Sequence, residues 1–139
     1  MYLLDTNLVS ELRKARTGKA NPGVVRWADS IGAPLMFLSV ITIQEIEAGV
    51  LCAERKDAAQ GAVLRAWFEQ QVLPAFAGRI LPVDIRVARR CGQLQAERPR
   101  PAGDALIAAT ALEHGMTVVT RNVADFEPMG VKVLNPWGD

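Results

Sequence analysis

Short apolar runs alternate with longer amphipathic segments along the whole chain, and this alternation restricts the fold more than any other feature of the sequence. The apolar runs are rich in Leu, Val, Ile and Phe, which is typical of strands that are buried on both faces of a sheet. We predict strands over residues 1–4, 35–40, 80–83, 117–120 and 131–134. Because helices separate the first four of these strands from one another, the sequence predicts an α/β fold: a three-layer α/β/α sandwich with a mostly parallel central sheet.

The segments between the predicted strands carry helical periodicity and recognisable end signals. The predicted helices cover residues 8–12, 22–31, 42–51, 57–77, 85–97 and 103–114. Thr42 and Glu45 match the capping-box pattern, in which a hydroxyl and a glutamate three residues later bond backbone N–H groups at a helix start. We therefore expect the third helix to begin at Thr42. The segment 121–130 is expected to be a loop, and residues 131–134 alternate like an edge strand.

Length and composition fit one globular domain. The chain has 139 residues, of which 50% are hydrophobic and 22% are charged, and we expect a single domain over residues 1–139. Its apolar stretches fall short of the roughly 18 to 20 residues that a membrane-spanning helix needs, so we expect no membrane association. The N-terminal segment has no basic leader followed by an apolar region, which favours a cytoplasmic protein. The formal net charge of +1 predicts no global attraction to nucleic acid.

Several kinds of catalytic site are excluded by the residues that the chain lacks. A single histidine, His114, excludes paired-imidazole acid–base chemistry and His-rich zinc sites. The sequence contains no glycine-rich phosphate loop, and none of its three serines lies in a GxSxG motif. Cys52 and Cys91 are far apart, so we interpret both as buried small hydrophobic residues. Carboxylates remain as the chemically active groups.

Carboxylates or their amides occur where predicted strands end or where the next helix begins. They are Asp5, Glu45, Asp104, Asn122 and Asp125. Each acid taken alone has a structural explanation, because acids at helix starts contribute about 1 kcal/mol. In a parallel sheet, however, the strand ends meet at one edge, and like charges about 4 Å apart cost up to ~4 kcal/mol per pair at an effective dielectric of 20. We therefore expect a cation to offset the charge of Asp5, Glu45 and Asp104.

A set of ligands made only of oxygen favours a hard divalent ion, Mg²⁺ or Mn²⁺, which a few carboxylates hold while it keeps several waters. Such an ion suits phosphodiester hydrolysis, because it polarises a phosphoryl oxygen and generates a nucleophile from bound water. The sequence leaves open whether one or two ions bind. Thr6, Asn7 and Thr120 stand next to the acids and are candidates to orient the ligands or hold a phosphate, although these residue types are also common in turns.

Charge is distributed unevenly along the chain. Residues 79–101 contain six arginines against two acids, and the segment 104–139 that follows carries a net negative charge. Arg86, Arg89 and Arg90 fall on one predicted helix and are candidate contacts for the phosphate backbone of a nucleic acid. The alternative explanation is an ordinary solvated helix face.

Four segments, taken in order, resemble the motifs of the PIN-domain ribonuclease toxins of the VapBC type. They are MYLLDTN at residues 1–7, LSVITIQE at 38–45, GDALIAATA at 103–111 and VVTRNVADF at 118–126. The segments LPAFAGRILP at 73–82 and NPW at 135–137 are most similar to the FitB-like branch of that family. Together these motifs span nearly the whole chain.

The resemblance implies a PIN-like fold and an Mg²⁺-dependent endoribonuclease, usually a homodimer. It also implies a VapB/FitA-like antitoxin whose C-terminal segment occupies the active site while its N-terminal half binds operator DNA. Asp5, Glu45 and Asp104 match the acidic triad of the family, with Asp5 and Asp104 as the expected direct metal ligands. Asn122 stands where some relatives carry an aspartate, and Asp125 is the nearest carboxylate for a fourth position.

Two other functions stay open at this point. One is a DNA-directed or structure-specific nuclease on the same scaffold. The other is a non-catalytic interaction module in which the acids only cap helices and the tryptophans serve as anchors, with Trp137 expected to be the most exposed of Trp27, Trp67 and Trp137. Residues 24–31 and 43–51 carry enough apolar surface to supply a dimer interface.

Overall fold

A computed structural model describes residues 1–138, along which strands alternate with helices. The strands are β1 (Tyr2–Leu4), β2 (Met36–Ser39), β3 (Ile80–Leu81), β4 (Thr117–Val119) and β5 (Val133–Leu134). The helices are α1 (Thr6–Arg13), α2 (Pro22–Ile31), α3 (Val40–Lys56), α4 (Ala58–Trp67), α5 (Leu73–Ala75), α6 (Ile85–Glu97), α7 (Ala102–His114) and α8 (Val123–Phe126). Short 3-10 turns cover Lys14–Thr17, Ala33–Leu35 and Glu127–Met129.

The strands form one parallel sheet in the order β3-β2-β1-β4-β5. β1 lies in the centre, where Leu3 pairs with Phe37 of β2 on one side and with Val118 of β4 on the other. The carboxyl ends of the strands therefore point to one edge of the sheet. This confirms the predicted α/β architecture, and β5 lies at an edge as its alternating pattern predicts.

Side chains of β1 and β4 alternate between two hydrophobic cores, one on each face of the sheet. Leu3 and Val118 pack with residues of α6 and α7, whereas Leu4 and Val119 pack with residues of α1, α2 and α3. All four strand residues are completely buried. Helices thus cover both faces of the sheet, and the edge at the strand ends is where side chains from both helical layers meet.

The third helix begins earlier than the sequence predicts. Ser39 is its N-cap, with a side-chain oxygen that accepts the Ile41 N–H at 3.0 Å, so α3 starts at Val40. The capping-box prediction is therefore wrong, because Thr42 and Glu45 lie inside the helix. Their side chains contact α1 instead of the backbone at their own helix end.

The other predicted helices are observed, but some of them differ from prediction in their boundaries or continuity. The helices predicted over 22–31 and 103–114 are observed within one residue as α2 and α7. The helix predicted over 57–77 is interrupted, because a π-helical turn over Phe68–Val72 joins α4 to α5. The predicted loop over 121–130 contains α8 and a 3-10 turn, elements too short to show a period in the sequence.

Two side chains lie elsewhere than predicted. Cys52 is exposed on α3, whereas Cys91 is buried as expected. Trp137 is buried and not exposed, because it packs into the same core as Leu4 and Val119. Over residues 1–138, no helix combines the length and the apolar character needed to cross a membrane.

Candidate active site

Asp5 lies at the carboxyl end of the central strand and is 5% exposed. Both oxygens of its carboxylate accept hydrogen bonds, Oδ1 from the Thr6 N–H at 2.8 Å and Oδ2 from the Thr120 hydroxyl at 2.7 Å. The Asp5 backbone N–H donates to the Val119 carbonyl at 3.0 Å, and Asp5 is also the N-cap of α1. Strand pairing and helix capping together fix the direction in which this carboxylate points.

Thr120 organises the side of the site next to Asp5. It is completely buried, and its hydroxyl oxygen accepts hydrogen bonds from Asn7 Nδ2 at 3.2 Å and from the Asn122 N–H at 3.0 Å. Asn7 Oδ1 is buried and has no hydrogen-bond partner within the described part of the chain. A buried oxygen without a partner beside a carboxylate is a group that a cation or an ordered water would satisfy.

Glu45 reaches the same site from the second turn of α3. Its side chain is exposed, and Oε1 accepts a hydrogen bond from the Thr6 hydroxyl. On the other side, a Cβ placed on Gly103 would lie 3.2 Å from Oε2. The Glu45 carboxylate therefore lies between the first turn of α1 and the first turn of α7.

Asp104 lies half-buried in the first turn of α7. Burial raises its pKa above the ordinary value of 3.8, and the charges of Asp5, Asp125 and Glu45 raise it further. Burial also raises the pKa of Asp5, and this outweighs the hydrogen bonds from Thr120 and Thr6, which lower it. The charges of Glu45 and Asp125 raise the Asp5 pKa as well. These four acids therefore form one cluster of negative charge.

The structure places both candidates for the fourth position beside this cluster. Asn122 is exposed and precedes α8 without forming a side-chain cap, and its backbone N–H bonds Thr120. Asp125 lies in the first turn of α8, and its charge raises the pKa of both Asp5 and Asp104. Asp125 thus supplies the fourth negative charge, whereas Asn122 supplies a neutral amide.

The donor set fits a hard divalent cation, because the groups that meet here are carboxylate, amide and hydroxyl oxygens. Among residues 1–138, no group of three Asp, Glu, His or Cys side chains is arranged to hold an ion by itself. That arrangement is compatible with Mg²⁺, which is usually bound by one or two carboxylates and keeps several waters. A closed cage of protein ligands would instead indicate a structural metal.

Residues 2–129 match the family model of the PIN domain. The chain belongs to the PIN-domain family. A relative named VapC ribonuclease Y4jK, from Sinorhizobium fredii, is 37% identical and the match covers 99% of this chain and 98% of the relative. Toxin FitB from Neisseria gonorrhoeae is 40% identical, and the match covers 100% of both chains.

Solved structures agree with this PIN-domain assignment. The crystal structure of FitAcB from Neisseria gonorrhoeae superposes with a TM-score of 0.89 at 39% identity, covering 100% of both chains. The structure of FitAB bound to an IR36 DNA fragment superposes with a TM-score of 0.83 at 39% identity, covering 100% of this chain and 97% of the other.

The PIN domain has a basic cleft that is separate from the cluster of Asp5, Glu45, Asp104 and Asp125. This cleft of about 220 Å³ is lined by Arg86, Arg89, Arg90, Gln93 and Glu113. Arg90 is paired with Glu113, whose Oε2 lies 2.8 Å from Nη2 and 2.9 Å from Nε. Glu113 and Asp104 lie near opposite ends of α7, about 13 Å apart along the helix axis. The cleft is therefore a surface distinct from the acidic cluster.

Thr42 also belongs to the site, although the sequence around it predicts only a helix cap. Thr42 is completely buried on α3, and its hydroxyl oxygen lies 3.2 Å from that of Thr6. The spacing of Thr42 and Glu45, which also matches a capping box, is the feature of the sequence that could have indicated this contact. The same three-residue spacing also places two side chains on one face of a helix.

Proposed function

We propose that this PIN domain is a toxic, Mg²⁺-dependent endoribonuclease of a type II toxin–antitoxin system, which hydrolyses RNA phosphodiester bonds and is neutralised by a cognate antitoxin. The observation that carries the proposal is the cluster of Asp5, Glu45, Asp104 and Asp125 at the carboxyl edge of the parallel sheet. Relatives named VapC ribonuclease and toxin FitB support a toxin nuclease.

Asp5, Asp104 and Glu45 are the proposed metal ligands, of which Asp5 and Asp104 are the proposed direct ones. Asp5 is held in place by Thr6 and Thr120, so its carboxylate needs little reorganisation to bind an ion. A bound Mg²⁺ or Mn²⁺ would polarise a phosphoryl oxygen and lower the pKa of a coordinated water. The unpartnered Asn7 Oδ1 would accept a hydrogen bond from an ordered water.

The charge of the cluster decides when RNA can bind. In the metal-free protein the acids repel a phosphodiester, and the raised pKa values of Asp5 and Asp104 have the same electrostatic origin in part. Asp125 is the proposed fourth acid, because its charge acts on both Asp5 and Asp104. Asn122 can hydrogen-bond a water but adds no charge, so it contributes little to the binding of a second ion.

The proposed partners follow from the family. We expect a VapB/FitA-like antitoxin as inhibitor, a homodimer of this chain, and operator DNA bound only through the antitoxin. The solved FitAcB and FitAB structures, the latter with DNA, support the antitoxin and DNA parts of this proposal. We expect the protein to act in the cytoplasm, where its RNA substrate is found.

The experiment is a cleavage assay with labelled RNA, single-stranded DNA and duplex DNA, each in Mg²⁺ and in chelator, using protein freed of antitoxin. We expect Mg²⁺-dependent cleavage of RNA that stops in chelator, in Asp5→Asn and on addition of the antitoxin. Cleavage of DNA in place of RNA would establish the alternative nuclease. Lack of cleavage of every substrate would leave the interaction module as the better explanation.

A further inference from the structure

Glu45 differs from the other acids of the cluster in how its carboxylate is held. Asp5 is buried and Asp104 is half-buried, so packing restricts both side chains. Glu45 is exposed and has a longer side chain, which loses more rotamer entropy when it is confined to one conformation. Contacts specific to its carboxylate must therefore keep Glu45 at the site.

Two neighbours meet the Glu45 carboxylate from opposite sides. The Thr6 hydroxyl donates to Oε1. Oε2 faces Gly103 so closely that an added Cβ would lie 3.2 Å away, a distance that forces one of the two groups to shift. Glycine at position 103 thus provides the room that the carboxylate occupies.

Thr42 lies behind Thr6 and completes a chain of hydrogen bonds. Its hydroxyl oxygen is 3.2 Å from that of Thr6, and the side chain is completely buried. A threonine hydroxyl has one proton and an ionised carboxylate can only accept, so the Thr6 proton is directed to Glu45. The proton between the two threonines then comes from Thr42. Each bond in such a chain strengthens the next.

We propose that Thr42 is a positioning residue that fixes the Glu45 carboxylate through Thr6, with Gly103 setting the limit on the other side. The inference rests on the proposed function, because it assigns Thr42 a role in binding the divalent ion. Thr42 itself touches neither the ion nor the RNA. Its contribution is to keep Thr6 oriented as a donor to Glu45.

The test compares Thr42→Val, which removes the hydroxyl at nearly constant shape, with Thr42→Ser, which keeps it. Mn²⁺ alone is titrated calorimetrically into metal-free, antitoxin-free protein. We expect Thr42→Val to weaken Mn²⁺ binding on the order of tenfold, as for other residues that support metal ligands, and Thr42→Ser to restore most of the affinity. Equal affinity of Thr42→Val and the wild-type protein would overturn the proposal.

A matched control separates positioning from a general effect of removing a buried hydroxyl. Thr110 is also completely buried, and its hydroxyl donates to the Leu106 carbonyl at 2.7 Å within α7. We expect Thr110→Val to leave Mn²⁺ affinity unchanged. A loss in Thr110→Val as large as that in Thr42→Val would also overturn the proposal.

The decisive comparison repeats Thr42→Val in a Glu45→Ala background, which removes the acceptor of the Thr6 hydrogen bond. If Thr42 acts through Glu45, the second substitution has no further effect there, whereas an equal loss in both backgrounds rejects the proposal. Should Thr42→Val fail to fold, Thr42→Ala, which also removes the hydroxyl, takes its place in the same cycle, with the same expected and contradicting results. A wild-type protein that neither binds Mn²⁺ nor cleaves RNA rejects the proposed function, and this inference with it.

Discussion

Asp5 shows that a carboxylate can be well held and still carry an unfavourable charge. Hydrogen bonds from Thr120 and Thr6 lower its pKa, but burial and the charges of Glu45 and Asp125 raise it by more. Functional sites often concentrate such perturbed groups, because their chemistry requires a charge that the fold alone would not favour. At the scale of single residues, the ionised carboxylates of Asp5 and Asp104 therefore reduce stability, a cost that the proposed cation would offset.

We expect Asp104→Asn to abolish RNA cleavage and to raise the melting temperature of the metal-free protein at neutral pH. The amide keeps the shape of the side chain, and it removes the repulsion from Asp5, Asp125 and Glu45. Thermal melts in chelator and cleavage assays in Mg²⁺ measure the two effects. Asp29→Asn, which changes an exposed acid on α2, is the control that should alter neither.

The extra stability of the Asp104→Asn variant should increase with pH. The pKa of Asp104 lies above 3.8 in the folded protein, so its contribution to stability is present below 3.8 and is lost as pH rises through the folded pKa. The Asp104→Asn variant should therefore exceed the wild-type protein in stability most at neutral pH, and the two should be equally stable in acid. For the cleavage prediction, an Asp104→Asn protein that cleaves RNA at the wild-type rate would show that Asp104 is not a catalytic residue.

At the scale of elements, α3 and α4 form a hairpin whose close approach depends on Gly61. A Cβ on Gly61 would lie 2.5 Å from Glu54 Cα and 2.8 Å from Glu54 N, which is closer than real contacts allow. Arg65, one turn further along α4, pairs with Glu54 at 3.2 Å and with Glu47 at 2.8 Å. The glycine brings the helices together, and the arginine links their facing sides.

We expect Gly61→Ala to destabilise the protein by about 1–3 kcal/mol, because the backbone of α3 must move to admit the methyl group. Gly49→Ala is the matched control on the same hairpin, since a Cβ there meets nothing within 4 Å. It should stabilise the protein by about 0.5–1 kcal/mol through helix propensity alone. Urea unfolding measures both, and a loss of stability in Gly49→Ala would contradict the explanation.

The start of α3 shows why element boundaries are harder to predict than elements. Ser39 and Thr42 are both good N-cap residues, so local preference does not separate them. The choice is made by the sheet, because β2 pairs with β3 as far as Ser39 opposite Leu81. A strand that ends at Ser39 leaves this residue as the cap, and Thr42 turns inward to Thr6.

For the whole molecule, we expect millimolar Mg²⁺ or Mn²⁺ to raise the melting temperature of the antitoxin-free protein. An ion that binds only the folded state stabilises it by mass action, by about 2.7 kcal/mol at a hundredfold excess over Kd. Scanning calorimetry with and without chelator measures the shift, which should be absent in Asp5→Asn/Asp104→Asn. No shift in the wild-type protein with either ion would count against the metal site.

We also expect Arg86→Gln/Arg89→Gln to weaken RNA binding. The slope of log K against log salt concentration should become less steep by about 0.7 for each phosphate contact that is lost. Arg90 should contribute less, because Glu113 neutralises it. Binding is measured with the inactive Asp104→Asn protein at several salt concentrations. Arg26→Gln, on the exposed surface of α2 in the opposite layer, is the control, and an equal effect there would assign the loss to net charge alone.

Properties that depend only on residues close together in the chain could be predicted from the amino-acid sequence. Periodicity and end signals predicted α2 and α7 within one residue, and alternation of strands with helices predicted the parallel sheet. The residue types also limited the chemistry, because the motifs offer oxygen ligands and the whole chain has a single histidine. These properties are local, so they can be predicted without knowing which segments meet.

Only the tertiary structure shows which side chains come together at the site. The strand order places β1 between β2 and β4, and this brings Thr120 to Asp5 across 115 positions of sequence. The same assembly turned Thr42 toward Thr6 and buried Trp137 in the core. Strand order and side-chain packing join segments that are far apart in the chain, and no local preference encodes them. For this reason the acids and their neighbours Thr6, Asn7 and Thr120 could be named from the sequence, whereas Thr42 and the hydrogen bonds that join these groups could not.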